Sequence, residues 1–403
     1  MTDAGAAAGL RFLVVEDQGF QRWTVEHLLR SIGAGDVYSA EDGRGALEIV
    51  RRAQPPIDII VSDLNMPGMD GIEFIRHVRQ TGSQASFLLV SEQDPTLLES
   101  VAAMTEAYGV RLLQALRKPL TAAKLGAAIS RYRKPTTPDA APQAFTLAEI
   151  DAGVRNDEFT PYFQAKVSLA SGKIEGAEAL ARWQHPQHGV VMPASFVHVL
   201  ESNDKMGAMT LAILRKSAVQ CRRWRGLGSN AKVSVNVSLT SLVDVRLADR
   251  LEDEVTRHEL RPSDVVLEVT ETAATSHLAH VLENLSRLRM KGFGLSIDDY
   301  GTGYASMQQL ARIPFTELKI DQSFVHQAVN GGASRAMLES CLEIAAKLGI
   351  PAVAEGVSRD EELDLLRQLG CALAQGNYLA EPLPAEAFAI LVERDPSILL
   401  PQP

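Results

Sequence analysis

Cysteine is scarce in this chain, and positive charge is outweighed. The three cysteines, Cys221, Cys341 and Cys371, are odd in number and far apart, and no C-x-x-C occurs. Neither a disulfide framework nor a zinc ribbon can be built from that set, so each thiol reads as a small core residue in a reducing compartment. Lysine and arginine number 40 against 50 aspartates and glutamates, a net charge of −10. That balance works against an electrostatic grip on a nucleic-acid backbone. It leaves room for a small anionic ligand held through metal ions. No apolar run is long enough to span a bilayer, and the N-terminus lacks a secretory hydrophobic segment. The expectation is a soluble, cytoplasmic protein with no nucleic-acid partner and no membrane insertion.

Of the 403 residues, 46% are apolar, enough for sizeable cores, and a chain of this length is expected to hold two or three domains. Residues 133–146 read RKPTTPDAAPQAFT, with three prolines and no apolar periodicity. That is the composition of a semi-extended connector. The expected layout is a first domain over 9–133, a linker over 134–146 and a second domain over 147–395.

The second domain has the size of one α/β barrel. Apolar strands are expected at 162–169, 174–181, 232–237, 265–270, 293–297, 317–320, 352–354 and 376–379. Amphipathic helices such as 209–224, 278–290, 335–348 and 361–369 fall between them. Polar residues recur at equivalent places on these strands. Glu178 lies late in GAEAL, Asn236 ends VSVN, Glu268 ends VVLE, Lys319 is near the end of ELKI, and Glu355 follows AVA. At 295–306 the chain reads LSIDDYGTGYAS, so Asp298 and Asp299 stand side by side at a strand end before a turn with two glycines. Taken singly, each could be a capping or solvated turn residue. In a parallel barrel, however, the strand C-terminal ends converge on one mouth. So many like charges on one rim are prohibitive without cations. All-oxygen ligands suit hard divalent ions, and two neighbouring metals can share one carboxylate.

The first domain also alternates strand and helix. Strands are expected at 11–15, 36–39, 57–62, 87–90 and 112–116, and a helix carries Val25, Leu28, Leu29 and Ile32 on one face. This is the pattern of a doubly wound, flavodoxin-like sheet, whose strand C-terminal ends gather on one edge. That edge collects Glu16, Asp17, Asp63, Ser91 and Lys118. Such a set suits magnesium-assisted phosphoryl transfer. The acids hold Mg2+, one carboxylate is the nucleophile, and the lysine and hydroxyl stabilise phosphoryl oxygens. One at a time, Glu16-Asp17 could equally be an acid pair at a helix start, and Lys118 a surface lysine.

The motifs VVEDQ, SDLNMPGMDG, VSE and RKPL resemble the receiver domain of bacterial two-component signalling. The resemblance implies Asp63 as phospho-acceptor, Glu16 and Asp17 as magnesium ligands, Ser91 and Lys118 as phosphoryl contacts, and a cognate histidine kinase as partner. Two features depart from it. Ala115 stands where many receivers carry an aromatic switch residue, and the interval from Ser91 to Lys118 is longer than usual. Phosphorylation is then expected without the usual aromatic rotation.

In the second domain GAEALARWQHPQHGVVMP, VSVNVS, VLEVTET, IDDYGTGYAS, LKIDQSF, AVAEGV and LAQGNYLAEPLP follow in order. They resemble the EAL-domain cyclic di-GMP phosphodiesterases, and no G-G-[DE]-E-F cyclase motif accompanies them. The resemblance implies a TIM-like barrel and a phosphorylation-regulated, metal-dependent hydrolysis of cyclic di-GMP to linear pGpG. It implies two metals, Mg2+ or Mn2+. Glu178, Asn236, Glu268 and Asp298 would hold one, and the second would share Asp298 and add Asp299. Glu355 is then the general base, and Lys319 orients the water or offsets charge. Gln164, Arg182 and Gln375 contact the substrate, Asp321 steadies the site from behind, and Glu271 anchors the loop after Asp299. A homo-oligomer, dimer or tetramer, is expected on the same ground.

Four features depart from the EAL pattern: Ala165 for a common proline, Tyr300 for phenylalanine, ESNDKM at 201–206, and Ser358 for a glutamate. The last stands close to Glu355, where it could lower activity or loosen the site. The alternative to an enzyme is a weak or inactive EAL domain that senses cyclic di-GMP or contacts a protein. The completeness of the ligand set favours the enzyme.

Overall fold

The computed structural model describes residues 7–92, 98, 101, 102, 104, 105, 108–132, 145–270, 278–301, 310 and 312–393. Most of the expected linker, Glu271 and the loop at 302–309 lie outside the described residues. The chain divides into two compact units, Met1–Ala141 and Pro142–Pro403.

In the first unit β1 (Arg11–Val15), β2 (Asp36–Ala40), β3 (Ile59–Asp63), β4 (Ser86–Ser91) and β5 (Leu112–Arg117) form a parallel sheet in the order β2-β1-β3-β4-β5. That order is the flavodoxin-like doubly wound one. Helices α1 (Gly19–Ser31), α2 (Gly43–Arg52), α3 (Gly71–Gln80) and α4 (Ala122–Ile129) cover it. Leu13, Val15, Ile60 and Leu89 pack with Leu47 of α2 and Phe74 of α3. Their neighbours Phe12, Val14, Ile59, Val61 and Leu88 pack with Leu29 of α1 and Leu125 of α4. Alternate residues face opposite sides of a strand. With helices on both sides, each strand must be apolar throughout, which is why RFLVV is continuous.

The second unit opens with α5 (Leu147–Arg155), started by a capping box in which Thr146 and Glu149 bond each other's backbone N–H. The strands β6 (Phe159–Ser168), β7 (Ile174–His185), β9 (Lys232–Asn236), β10 (Val265–Thr270), β11 (Gly294–Tyr300), β12 (Glu317–Ile320), β13 (Ala352–Ala354) and β14 (Leu373–Ala374) close into a ring. Two short strands, β8 (Gly189–Val191) and β15 (Leu383–Pro384), add to it at β7 and β6. Helices include α6 (Val197–Glu201), α7 (Met206–Gly226), α8 (Leu247–Arg257), α9 (Leu278–Lys291), α10 (Gln322–Ala328), α11 (Gly332–Leu348), α12 (Asp360–Gln368) and α13 (Ala385–Glu393). The rings of Phe163, Trp224 and Phe388, with centroids 5.0–5.7 Å apart, tie α7 and α13 to β6. Among the described residues no helix is long and apolar enough to cross a membrane.

The barrel differs from the expected uniform alternation in two places. Strand β6 runs antiparallel to both neighbours, β7 and β14, while the remaining ring strands are parallel. The connection from β6 to β7 is too short for the crossover that parallel strands need. The last ring strand is Leu373–Ala374 rather than 376–379. At Gly376 the chain instead packs against residue 357: a Cβ there would lie 2.2 Å from the backbone N and O of Val357.

Candidate active site

The strand register brings the expected acids to one mouth. Asn236 closes β9 directly beside Glu268 of β10, and Glu178 of β7 lies beside Gln164 of β6. Lys319 of β12, 1% exposed, reaches into the middle of them. Its Nζ lies 2.6 Å from Glu355 Oε1, 2.8 Å from Asp298 Oδ1, 3.0 Å from Glu268 Oε2 and 3.2 Å from Glu178 Oε2. Asn236 donates Nδ2 to Glu178 Oε1 at 2.9 Å.

One ammonium offsets four carboxylates only in part. Burial pushes the Glu355 carboxyl up to about 8, with Asp298 and Glu178 adding repulsion and Lys319 pulling the other way. Burial raises Glu178 too, with repulsion from Glu268 adding to it. Burial also opposes ionisation of Glu268, but Lys166 and Lys319 on its two sides outweigh that and hold it at about 2. The cluster is short of positive charge and rich in oxygen donors, which fits hard divalent cations.

Asp298 and Asp299 are consecutive, and consecutive residues of a regular strand face opposite ways. Here the pairing of β11 with β12 shifts between Ile297 and Tyr300, and Asp299 takes φ +53°. Such a bulge re-aims side chains. One oxygen from each of Asp298, Asp299 and Glu355 then lies within 4.8 Å of the others. A left-handed aspartate costs about 1–3 kcal/mol of backbone strain, the kind of cost that collects at working sites.

A cavity of about 420 Å³ opens onto the cluster. Gln375, just past β14, donates Nε2 to Gln164 Oε1 at 3.0 Å and to Glu178 Oε2 at 2.7 Å. Its own buried Oε1 has no hydrogen-bond partner among the described residues. Gln164 donates Nε2 to Asn377 Oδ1 and the Ala380 carbonyl, both at 3.1 Å. Asp321 lines the same cavity and caps α10, its Oδ1 accepting from the Ser323 amide at 2.9 Å. Arg182 is not among the lining residues. It lies on β7 with its guanidinium 5.6 Å over the Tyr162 ring, donating to the Ala181 carbonyl at 2.9 Å. Ser358 is on the wall, but its amide donates to Glu362 Oε2 at 2.8 Å and its hydroxyl lies 3.2 Å from the same oxygen. Glu271 lies outside the described residues.

Reading strands by their ends passes over Lys166 and Glu317, which lie deeper. Lys166 is 2% exposed, and its Nζ bonds Glu317 Oε1 at 2.6 Å, Glu268 Oε1 at 2.7 Å and Ser234 Oγ at 2.8 Å. The signal available was a lysine inside the apolar strand FQAKV, where an unpaired ammonium cannot be buried.

The first unit carries its own cluster at the C-terminal edge of its sheet. One oxygen each from Glu16, Asp17 and Asp63 lies within 4.8 Å of the others. Lys118, just after β5, places Nζ 2.7 Å from Asp63 Oδ2 and 2.8 Å from Glu16 Oε2, and also bonds Gln21 Oε1. Burial works against that ammonium, and its bonds to Asp63 and Glu16 overcome it and raise its pKa. Burial raises Glu16, with Lys118 opposing. Asp63 Oδ1 accepts from the Leu64 amide at 2.6 Å. The buried Asp17 Oδ1 has no hydrogen-bond partner among the described residues, which fits a Mg2+ ligand. Ser91 ends β4, buried, and its carbonyl accepts from the Lys118 amide at 3.0 Å. Ala115 sits on β5 beside Leu89 and packs against the core, so no aromatic ring is available there to rotate.

The EAL domain profile matches residues 147–382, and the response regulator receiver domain profile matches residues 12–130. The chain belongs to the EAL-domain family. Among its curated relatives, the cyclic di-GMP phosphodiesterase RocR of Pseudomonas aeruginosa is 37% identical over 383 residues, covering 94% of this chain and 97% of RocR. The bifunctional diguanylate cyclase/cyclic di-GMP phosphodiesterase MucR of the same organism is 34% identical over 241 residues, 60% of this chain and 35% of MucR. A solved complex of the PaMucR phosphodiesterase with c-di-GMP superposes with a TM-score of 0.57 at 33% identity, covering 60% of this chain and 98% of that one. The EAL enzyme Bd1971, bound to cAMP and cyclic di-GMP, gives a TM-score of 0.58 at 30% identity over 61% of this chain and 67% of that one. EAL phosphodiesterases are in general dependent on divalent metals, and in this EAL domain the letters E-A-L are residues 178–180 of β7.

Proposed function

We propose that this EAL response regulator hydrolyses cyclic di-GMP to linear pGpG at the barrel mouth, under the control of phosphorylation at Asp63. The observation that carries the reading is the meeting of Glu178, Glu268, Asp298 and Glu355 on one buried ammonium. The curated relative spanning almost the whole chain is named a cyclic di-GMP phosphodiesterase, which agrees with it. The working parts are a receiver over 9–133, a linker over 134–146 and the phosphodiesterase over 147–395.

Glu178, Asn236, Glu268 and Asp298 would hold one Mg2+ or Mn2+, and Asp298 and Asp299 would hold a second. Such ions, when bound, would polarise a phosphoryl oxygen and acidify a water. Glu355 takes the water's proton, its carboxylate standing at the cavity wall within 4.8 Å of oxygens of Asp298 and Asp299. The water oxygen bonds to phosphorus while the bond from phosphorus to the ribose 3′ oxygen breaks. One phosphodiester is thereby opened, and its phosphate stays on the 5′ oxygen of the product. Lys319 remains an ammonium, its pKa held up by the four carboxylates against burial, and offsets charge at the reacting phosphate. Gln375 offers its unmatched Oε1 to a guanine N–H, and Gln164 and Arg182 contact phosphate or guanine. Asp321 steadies the rim from behind, and Glu271 anchors the loop after Asp299.

In the receiver, Glu16 and Asp17 would hold Mg2+, Ser91 and Lys118 would contact the phosphoryl oxygens, and a histidine kinase would be the donor. The protein works in the cytoplasm, in keeping with three buried cysteine thiols. It works as a homo-oligomer, dimer or tetramer, a point for light scattering. Purified protein with Mg2+ or Mn2+ and cyclic di-GMP, its products separated by chromatography, tests the main reading. Linear pGpG from wild type and none from Glu355→Ala is the expected result. Tight binding without product would move the chain to the sensor reading.

A further inference from the structure

Lys166 follows Gln164 by two residues on β6, so both face the barrel interior and Lys166 lies one step deeper. Ser234 is likewise two residues before Asn236 on β9, and Glu317 two before Lys319 on β12. Lys166, Ser234 and Glu317 thus form a layer beneath the rim, as stacked layers do inside barrels. Glu268 spans the two layers. Its Oε1 accepts from Lys166 at 2.7 Å below, and its Oε2 lies 3.0 Å from Lys319 above. The ammonium of Lys166 has three donors, and Ser234, Glu268 and Glu317 take one each. It has no proton left to offer a substrate, and it does not line the cavity.

We propose that Lys166 is a positioning residue for the metal site: it holds Glu268 Oε1 below the rim so that Oε2 alone faces the ion, and Glu317 and Ser234 hold Lys166 in turn. This rests on the proposed metal site. A carboxylate free to turn about its last bond can chelate through both oxygens or turn either oxygen to the ion. One anchored from below presents a single oxygen in a fixed direction. Partners behind a metal ligand commonly set affinity by about 10–100-fold.

The test is the double variant Lys166→Met with Glu317→Gln, which removes the ammonium and the carboxylate it would leave buried and unpaired. It is made in the full chain carrying Asp17→Asn, to silence the receiver's own cluster, and compared with that background. Calorimetric titration with Mn2+ in the absence of substrate is expected to show affinity weakened by about tenfold or more. The Mn2+ concentration for half-maximal hydrolysis should rise by the same factor, while kcat at saturating Mn2+ returns to within about threefold of the background. Ser234→Ala should shift Mn2+ affinity in the same direction by less. A mere packing role lowers the melting temperature and leaves metal affinity alone, and a folded double variant that binds Mn2+ like its background overturns the proposal. If the double variant does not fold, Lys166→Gln with Glu317→Gln is titrated instead, and unaltered Mn2+ affinity in it is equally decisive. Wild-type protein that binds Mn2+ but forms no pGpG with or without acetyl phosphate refutes the phosphodiesterase reading while the Lys166 comparison still decides. Unaltered affinity in an active enzyme refutes only the role of Lys166.

Discussion

Glu355 couples the chemistry of the barrel to its stability. Burial lifts its carboxyl from 4.5 to about 8, and its side chain is 16% exposed, so solvent screens it little. An acid whose pKa is raised by folding stabilises the fold below its unfolded value and loses that contribution as pH rises through the folded one. Without metal, the barrel should therefore lose stability between pH 4.5 and about 8. At about 1.4 kcal/mol per pH unit, the loss reaches about 3 kcal/mol at pH 7. Glu355→Gln has no charge to bury, so in EDTA at pH 7 it should melt above wild type. At roughly 2–4 °C per kcal/mol the gap is about 6–12 °C, reduced by the lost contact with Lys319. At pH 5 the gap should shrink to about 2 °C, because that pH lies only about half a unit above the unfolded-state value and the accumulated loss is then roughly 1 kcal/mol. Melting curves of the barrel transition from pH 5 to 8 read this directly. Added Mn2+ should raise the melting temperature of both proteins, since both keep Glu178, Asn236, Glu268, Asp298 and Asp299, and the variant should form no pGpG. A wild-type melt in EDTA that is flat across this range, with Glu355→Gln no higher at pH 7, would refute the reasoning.

Lys319→Met leaves Glu178, Glu268, Asp298 and Glu355 without their shared ammonium. It should cost about 3–5 kcal/mol in the metal-free protein and lower hydrolysis at least about 100-fold, read by melting in EDTA and by product formation. Asp63→Asn should take up no phosphoryl group from acetyl phosphate on a phosphate-affinity gel, while keeping basal hydrolysis. Gly376→Ala puts a Cβ 2.2 Å from the Val357 backbone and so displaces Gln375. A loss of about 1–3 kcal/mol and a higher KM for cyclic di-GMP are expected from chemical denaturation and kinetics. Ser358→Ala removes a hydroxyl 3.2 Å from Glu362 but keeps the amide bond at 2.8 Å. It should cost about 0.5–1 kcal/mol and change activity less than about twofold; a larger kinetic effect would show that the hydroxyl reaches substrate.

Much of this protein is legible in one dimension because its signals are local. The apolar runs RFLVV, IIVSD and VVLEVT, and the helical periodicities between them, are set by neighbours along the chain. Once the strands are parallel, a polar side chain at a strand C-terminal end has only one edge to occupy, so Glu16, Asp63, Asn236, Glu268 and Asp298 are assigned to their rims by sequence position alone. The reversal of β6 was legible too, in the short interval before β7, although uniform alternation hid it. What only the tertiary structure decided is which distant groups share a proton or a charge. Lys166 and Glu317 are 151 positions apart, and Gln164 and Gln375 are 211 apart. The bulge at Asp299, which turns two adjacent carboxylates to one side, depends on how β11 pairs with β12. Ser358 looked like a gap beside Glu355 and instead serves Glu362. Composition and period set what each segment is, but hydrogen bonds and buried charges are settled between segments, where only the closed barrel brings the partners within reach.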